Sequence, residues 1–194
     1  MPQSLTLSER KRVANRERIA FAAASLVLAN GLSGTTVEQI SDSAEVGRAT
    51  FFRYFNSKEA AVAEGISRQW MDLITAAVAA APAELSASET VLAAFVQLAE
   101  GFEAIDAQVR DLAQLTRTSP ALSAWTLQVY VGYETVIADL VAPRFADLRA
   151  DDPRPRLLGA LAMASVRIAL DDWLDHGGSL PERVQSALGA LTVS

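Results

Sequence analysis

Cysteine is absent from this 194-residue chain. That excludes disulfides, thiolate metal sites and cysteine nucleophiles. Histidine occurs once, as His176. It stands just before Gly177-Gly178, where an imidazole is favourable at a helix C-terminus and badly placed for catalysis or metal binding. No Gly-rich phosphate loop and no paired-carboxylate motif is present, so no catalytic residue, cofactor or metal ligand is assigned. No apolar run approaches about 18 residues without a charge, and no membrane span is expected. The N-terminus is polar and then charged, unlike a signal peptide, so the expectation is a cytoplasmic protein. Strand-type alternation and β-branched runs are also missing, whereas Ala and Leu abound. The fold class is therefore all-α. With 51% hydrophobic residues, the chain has ample material for a core and does not read as disordered.

Positive charge is scarce overall, with a formal net charge of −6, but it is not evenly spread. Residues 1–60 hold eight basic against six acidic residues, a net of +2, and the remainder nine against seventeen, a net of −8. A locally basic segment is the electrostatic footprint of a nucleic-acid binder. An acidic remainder would repel DNA unless the basic tip points at it. Arg10, Lys11, Arg12 and Arg16 cluster at the start of the first long helix, where Thr6 and Glu9 form a candidate capping box. They are either a solvated helix end or phosphate contacts.

Residues 36–59, TVEQISDSAEVGRATFFRYFNSKE, are the most informative stretch. Thr36 and Gln39 have the spacing of a capping box for a short helix. Val37 and Ile40 share its inner face, Ala44 is small where helices cross, and Val46 plugs a turn containing Gly47. Arg48 opens a second short helix. Phe51 and Phe55, four apart, anchor that helix on one face. Thr50, Arg53 and Tyr54 fall largely on other faces. Arg53 has the reach for base edges or phosphates, and Thr50 and Tyr54 can donate to phosphate oxygens. Phe52 either packs or touches a thymine methyl. Asn56 and Ser57 cap a third helix, with Lys58 in its first turn. Taken singly, each polar residue is an ordinary solvated side chain; the ordered set describes a helix-turn-helix.

Residues 10–65 resemble the DNA-binding domain of tetracycline-repressor (TetR) type regulators. The matching features are the apolar first helix Phe21 to Leu28, Gly31, Thr36-Val37, the aromatic run Thr50 to Phe55, and Ser57-Lys58-Glu59. The resemblance implies DNA contacts from Thr36, Arg48, Ala49, Thr50, Arg53, Tyr54 and Lys58. The chain departs from the family pattern at Glu45, where Gly is common. Gly47 stands where Ser is common, removing a cap for the recognition helix, and Phe52 where Tyr is frequent. The implied organisation is a three-helix helix-turn-helix domain over 1–60. A helical ligand-binding and dimerisation domain follows over 61–194, making about nine helices in total.

In that second part the spacing predicts a long helix from about 57 to 81, ended by Pro82. Helices over about 87–103, 106–117 and 120–142 follow, the first with a Ser86/Glu89 capping box and the last opened by Ser119-Pro120. Asp152-Pro153 starts another that stops at Gly177-Gly178, and Ser179/Glu182 begins the last. The final two carry broad apolar faces: Leu157, Leu161, Ala164, Ile168 and Trp173, then Val184, Leu188 and Leu191. They are read as a four-helix homodimer interface, or more plainly as the closure of a monomer core. Phe95 and Phe102, with the stripe Trp125, Val129, Tyr133 and Val136, are either core or the lining of an apolar cavity. Tyr133, Gln97 or Arg167 would be its polar anchors. Arg167 has Asp171 four residues on as a surface partner; otherwise it anchors an anionic ligand group.

The leading function is a homodimeric transcriptional regulator, a repressor released from a palindromic double-stranded DNA operator by a small hydrophobic effector. A helical enzyme acting on a hydrophobic substrate has no catalytic motif behind it. A non-specific architectural DNA-binding protein fits poorly with the acidic body.

Overall fold

A computed structural model describes residues 6–118 and 120–190. Ser119 and Leu191, which entered the helix and interface readings, lie outside the described residues. Nine α-helices and no strand occur among the described residues: α1 (Leu7–Asn30), α2 (Val37–Ser43), α3 (Arg48–Tyr54), α4 (Lys58–Ala80), α5 (Ala87–Ala99), α6 (Asp106–Thr118), α7 (Pro120–Val141), α8 (Arg154–His176) and α9 (Leu180–Gly189). None is long and apolar enough to cross a membrane among those residues.

The helix starts follow local side-chain chemistry. Thr6/Glu9, Thr36/Gln39 and Ser86/Glu89 each form the reciprocal capping box that their spacing predicts. Ser179 Oγ accepts from the Glu182 amide at the start of α9. Asp152 accepts from the amide and guanidinium of Arg154 at the start of α8. Those contacts hold the Asp152 carboxyl at about 2, below its ordinary 3.8. The expected helix over 87–103 stops short, at Ala99. Gly101 takes a left-handed φ of 78°, and a 3-10 turn over Phe102–Ala104 follows.

Contacts divide the chain into two compact units, Met1–Gln69 and Trp70–Ser194. The division falls within α4 and not at residue 60, because Ala61, Val62 and Ala63 of α4 are buried in the core of the first unit. That core joins Ile19, Ala20, Ala23 and Val27 of α1 to Ile40, Ala44, Phe51 and Phe55. A Cβ at Gly65 would overlap the Ala20 carbonyl oxygen, so glycine is what lets α4 cross α1 so closely.

The second unit is built on α7 against α8, where Gly159 meets the Glu134 backbone. Ile137, Val141, Leu158 and Val91 fill its centre. Trp173 is wholly buried. Its indole N–H donates to the Gly178 carbonyl at 3.0 Å, Phe102 meets its ring edge-on, and the Arg110 guanidinium lies 3.8 Å from its centroid. Trp173 is therefore a core residue and not part of an interface face. Val184 and Leu188 are buried in the same core. The apolar face of α9 thus closes the monomer, while Leu157, Leu161 and Ile168 of α8 stay exposed.

Candidate nucleic-acid interface

α3 is held by its roots. Phe51 and Phe55 are buried, with ring centroids 6.0 Å apart. Arg48, Ala49, Phe52 and Arg53 on the other faces are exposed, and Thr50 and Tyr54 are half-buried. The helix begins without a side-chain cap, as expected for Gly47 at that position. Before it, Glu45 takes a left-handed φ of 51°, the conformation for which glycine is suited. Thr36 is exposed and spends its hydroxyl as an acceptor from the Gln39 amide.

The arginines of α3 differ in their surroundings. Arg53 lies over the Tyr54 ring, 5.3 Å from its centroid. Arg48 pairs with Glu38 of α2 and lies over the Phe52 ring at 5.5 Å. Phe52 in turn meets Phe51 edge-on.

Lys58, a DNA contact implied by the resemblance, and Arg16, read as either a solvated helix end or a phosphate contact, both have work inside the unit. Lys58 Nζ donates to the carbonyls of Leu32 and Thr35, both at 2.8 Å. An ammonium has three donors, so these two bonds leave one. Arg16 is committed more fully. It pairs through Nε and Nη2 with the buried Glu64 of α4, donates to the Tyr54 carbonyl at 3.1 Å, and stacks on Phe55 at 4.6 Å. The Tyr54 carbonyl belongs to the last turn of α3, where carbonyls lack helical partners. Arg16 therefore ties down the end of α3. Arg68 completes the cluster, reaching Glu17 and Glu64.

Neither Glu64 nor Glu38 was singled out in the sequence. Arg16 and Glu64 are 48 residues apart, with no periodic signal to link them. Glu38 and Arg48, ten residues apart on separate helices, meet only through the packing of α2 with α3.

Of the residues named for a ligand, Phe102 and Gln97 line a hollow of the second unit. One hollow of about 210 Å³ lies between α4 and the end of α5, lined by Trp70, Leu73, Ala77, Gln97, Leu98 and Phe102 among others. A second, of about 460 Å³, is bordered by Phe102, Glu103, Asp106 and the Gly178–Pro181 segment. Tyr133 is buried core, and Phe95 and Val129 pack against that core. Trp125 is half-buried and borders neither hollow. In this structure Phe95, Val129 and Tyr133 serve helix–helix packing. Arg167 is exposed and lies 3.9 Å from Asp171, the surface pairing that its spacing allowed. Asp171 also pairs with Arg117, which reaches Asp175 as well. The Arg117 hydrogen bond lowers the Asp175 carboxyl. Burial raises the nearby Tyr130 phenol, an effect reinforced by Asp171 and opposed by Arg167.

Comparison with known proteins agrees with this layout. Residues 19–64 match the profile of bacterial regulatory proteins of the tetR family, and residues 85–193 match the MftR C-terminal domain. The HTH-type transcriptional regulator TcmR of Streptomyces glaucescens is 32% identical over 89% of this chain and 78% of its own length. Among solved structures, FadR of Thermus thermophilus, a TetR-family transcriptional repressor in complex with lauroyl-CoA, superposes with a TM-score of 0.64. It has 23% identity, covering 92% of this chain and 96% of its own. A TetR transcriptional regulator from Rhodococcus sp. RHA1 superposes at 0.68 with 16% identity, covering 95% of this chain and 100% of its own. At those identities the two structures speak for the fold.

Proposed function

This chain belongs to the tetR family of bacterial regulatory proteins, and from that premise we propose a homodimeric repressor that reads a palindromic operator and is released by a small hydrophobic effector. As a DNA-binding transcriptional regulator it is not an enzyme.

The observation that carries the DNA reading is α3 itself. It is a seven-residue helix anchored by two buried phenylalanines, with Arg48, Ala49 and Arg53 on its open side and Thr50 and Tyr54 at the flanks. Such a helix suits the major groove, where its first residues meet base edges. Thr36 and Lys58 flank it as backbone contacts. Two copies would meet two half-sites about one DNA turn apart.

For the dimer, α8 offers Leu157, Leu161 and Ile168, a stripe at helical spacing, and its packing partner α7 adds Leu127 and Val131; all five are exposed. For the effector, the hollow lined by Phe102, Trp70 and Leu98 supplies apolar walls, with Gln97 and Glu100 as its polar residues. Its volume of about 210 Å³ lies below the roughly 300–1,000 Å³ usual for small-molecule sites, so an acyl chain like that in the FadR complex would have to part the helices further. An effector acts only by binding one conformation better than the other.

Binding-site selection from random duplex DNA, followed by fluorescence anisotropy across a salt series, tests the reading. The full-length protein should enrich a two-fold symmetric motif and prefer it over scrambled DNA by about 10³-fold or more. Arg53→Ala should weaken that binding more than about tenfold with helicity unchanged. No enriched motif, or full affinity in Arg53→Ala, would remove α3 from the role of recognition helix.

A further inference from the structure

Glu38 is an acid on the side of α2 that reaches the first residue of α3, where a DNA-binding surface would ordinarily avoid negative charge. The Glu38 and Arg48 side chains are 57% and 66% exposed, and exposed ion pairs contribute little to stability. The pair is therefore poorly explained as a fold-stabilising device. Its effect on Arg48 is specific. The carboxylate takes Nη1, and one face of the guanidinium is covered by the Phe52 ring. Nη2 and Nε have no partner among the described residues, so one edge with parallel donors is left open.

We propose that Glu38 is a positioning residue for DNA recognition: it cancels the charge of Arg48 and, with Phe52, fixes the guanidinium as an oriented fork that reads a guanine. The proposal rests on α3 being the recognition helix. Guanidinium donors lie in a rigid plane, and guanine presents O6 and N7 side by side in the major groove, the commonest partners of such a fork. Phosphate binding, by contrast, draws on net charge and the release of counterions. A neutralised pair has directional donors but little net charge to offer. Arg48 therefore contributes to sequence discrimination and hardly to the salt dependence. Arg53, with no acidic partner among the described residues, keeps its full charge.

The test uses full-length wild-type protein, Glu38→Gln, Arg48→Ala and the double variant. Each is taken through selection from random duplexes and then through anisotropy in a salt series on the wild-type motif. Arg48→Ala should lose preference for one guanine in each half-site, and Glu38→Gln should lose about tenfold of the same preference. Arg48→Ala should leave the salt slope near the wild-type value. In Glu38→Gln the freed charge should steepen it by about 0.9 per half-site. On the Arg48→Ala background, Glu38→Gln should change no base preference. Wild-type preferences retained in Glu38→Gln would overturn the proposal. So would a slope reduced by about 0.9 per half-site in Arg48→Ala, since Arg48 would then be an ordinary phosphate contact. A wild-type protein that enriches no motif would overturn the recognition reading and this proposal with it.

Discussion

Glu45 shows how one residue can carry a local cost that the rest of the domain absorbs. Its φ of 51° places a Cβ-bearing residue in the left-handed region, which costs on the order of 1–2 kcal/mol relative to glycine. The turn needs that conformation. The Glu45 amide donates to the Asp42 carbonyl and the Val46 amide to Ser41, which brings Arg48 round to open α3. Glycine would remove the strain but would also loosen the unfolded chain, taking back about 0.4–1 kcal/mol. Glu45→Gly should therefore stabilise the protein by roughly 0.5–1 kcal/mol, seen as a higher urea midpoint at unchanged m-value. A lower midpoint would mean that the Glu45 side chain makes a contribution its exposure does not reveal. The same residue separates two kinds of reading. The family pattern marks the position as a common glycine, but only the backbone angle explains why.

Between helices, the close crossings are set by two glycines whose neighbours are backbone atoms and cannot yield. At Gly65 a Cβ would overlap the Ala20 carbonyl, and at Gly159 the Glu134 carbonyl. Gly132, inside α7, has nothing within 4 Å of that position. The same substitution should then have opposite signs. Gly65→Ala forces α1 and α4 apart and should cost about 1–3 kcal/mol, whereas Gly132→Ala gains helix propensity of up to about 1 kcal/mol. Thermal unfolding of the two variants decides it, and equal shifts would show that the crossing is not set by Gly65. Crossings of this kind were not legible in the sequence, where Gly65 is one small residue in an alanine-rich helix. The helix starts were legible, because Thr6 with Glu9, Thr36 with Gln39 and Ser86 with Glu89 act over three residues. The end of α5 was placed too late because the apolar spacing runs on through Phe102, past the turn that Gly101 makes. Arg16 with Glu64, and Glu38 with Arg48, join separate helices and follow from the packing alone. Periodicity likewise marked α9 as amphipathic without saying what its face meets.

At the scale of the whole molecule, charge and apolar surface divide the labour between the two ends of the sequence. The +2 head and the −8 remainder favour docking by the head, and in the proposed dimer both charges would double. The surface proposed for that dimer is the apolar stripe that α7 and α8 leave uncovered. Leu157 and Ile168 are each about half exposed (51% and 50%), as are Leu127 and Val131 at 52%, while Val184 is in the core. A carboxylate placed in the stripe is harmless to the monomer, where it is solvated, and costly in an interface, where it is buried unpaired. Ile168→Glu should therefore give a folded monomer in analytical ultracentrifugation, with helicity retained. Its affinity for a two-half-site duplex should fall by about 10²-fold or more as the second head loses its effective concentration. Val184→Ala should do the reverse, lowering thermal stability while leaving the protein dimeric. A dimer that survives Ile168→Glu but dissociates in Val184→Ala would move the interface back to α9, and the burial of Val184 in a single chain would then be a contact exchanged on assembly.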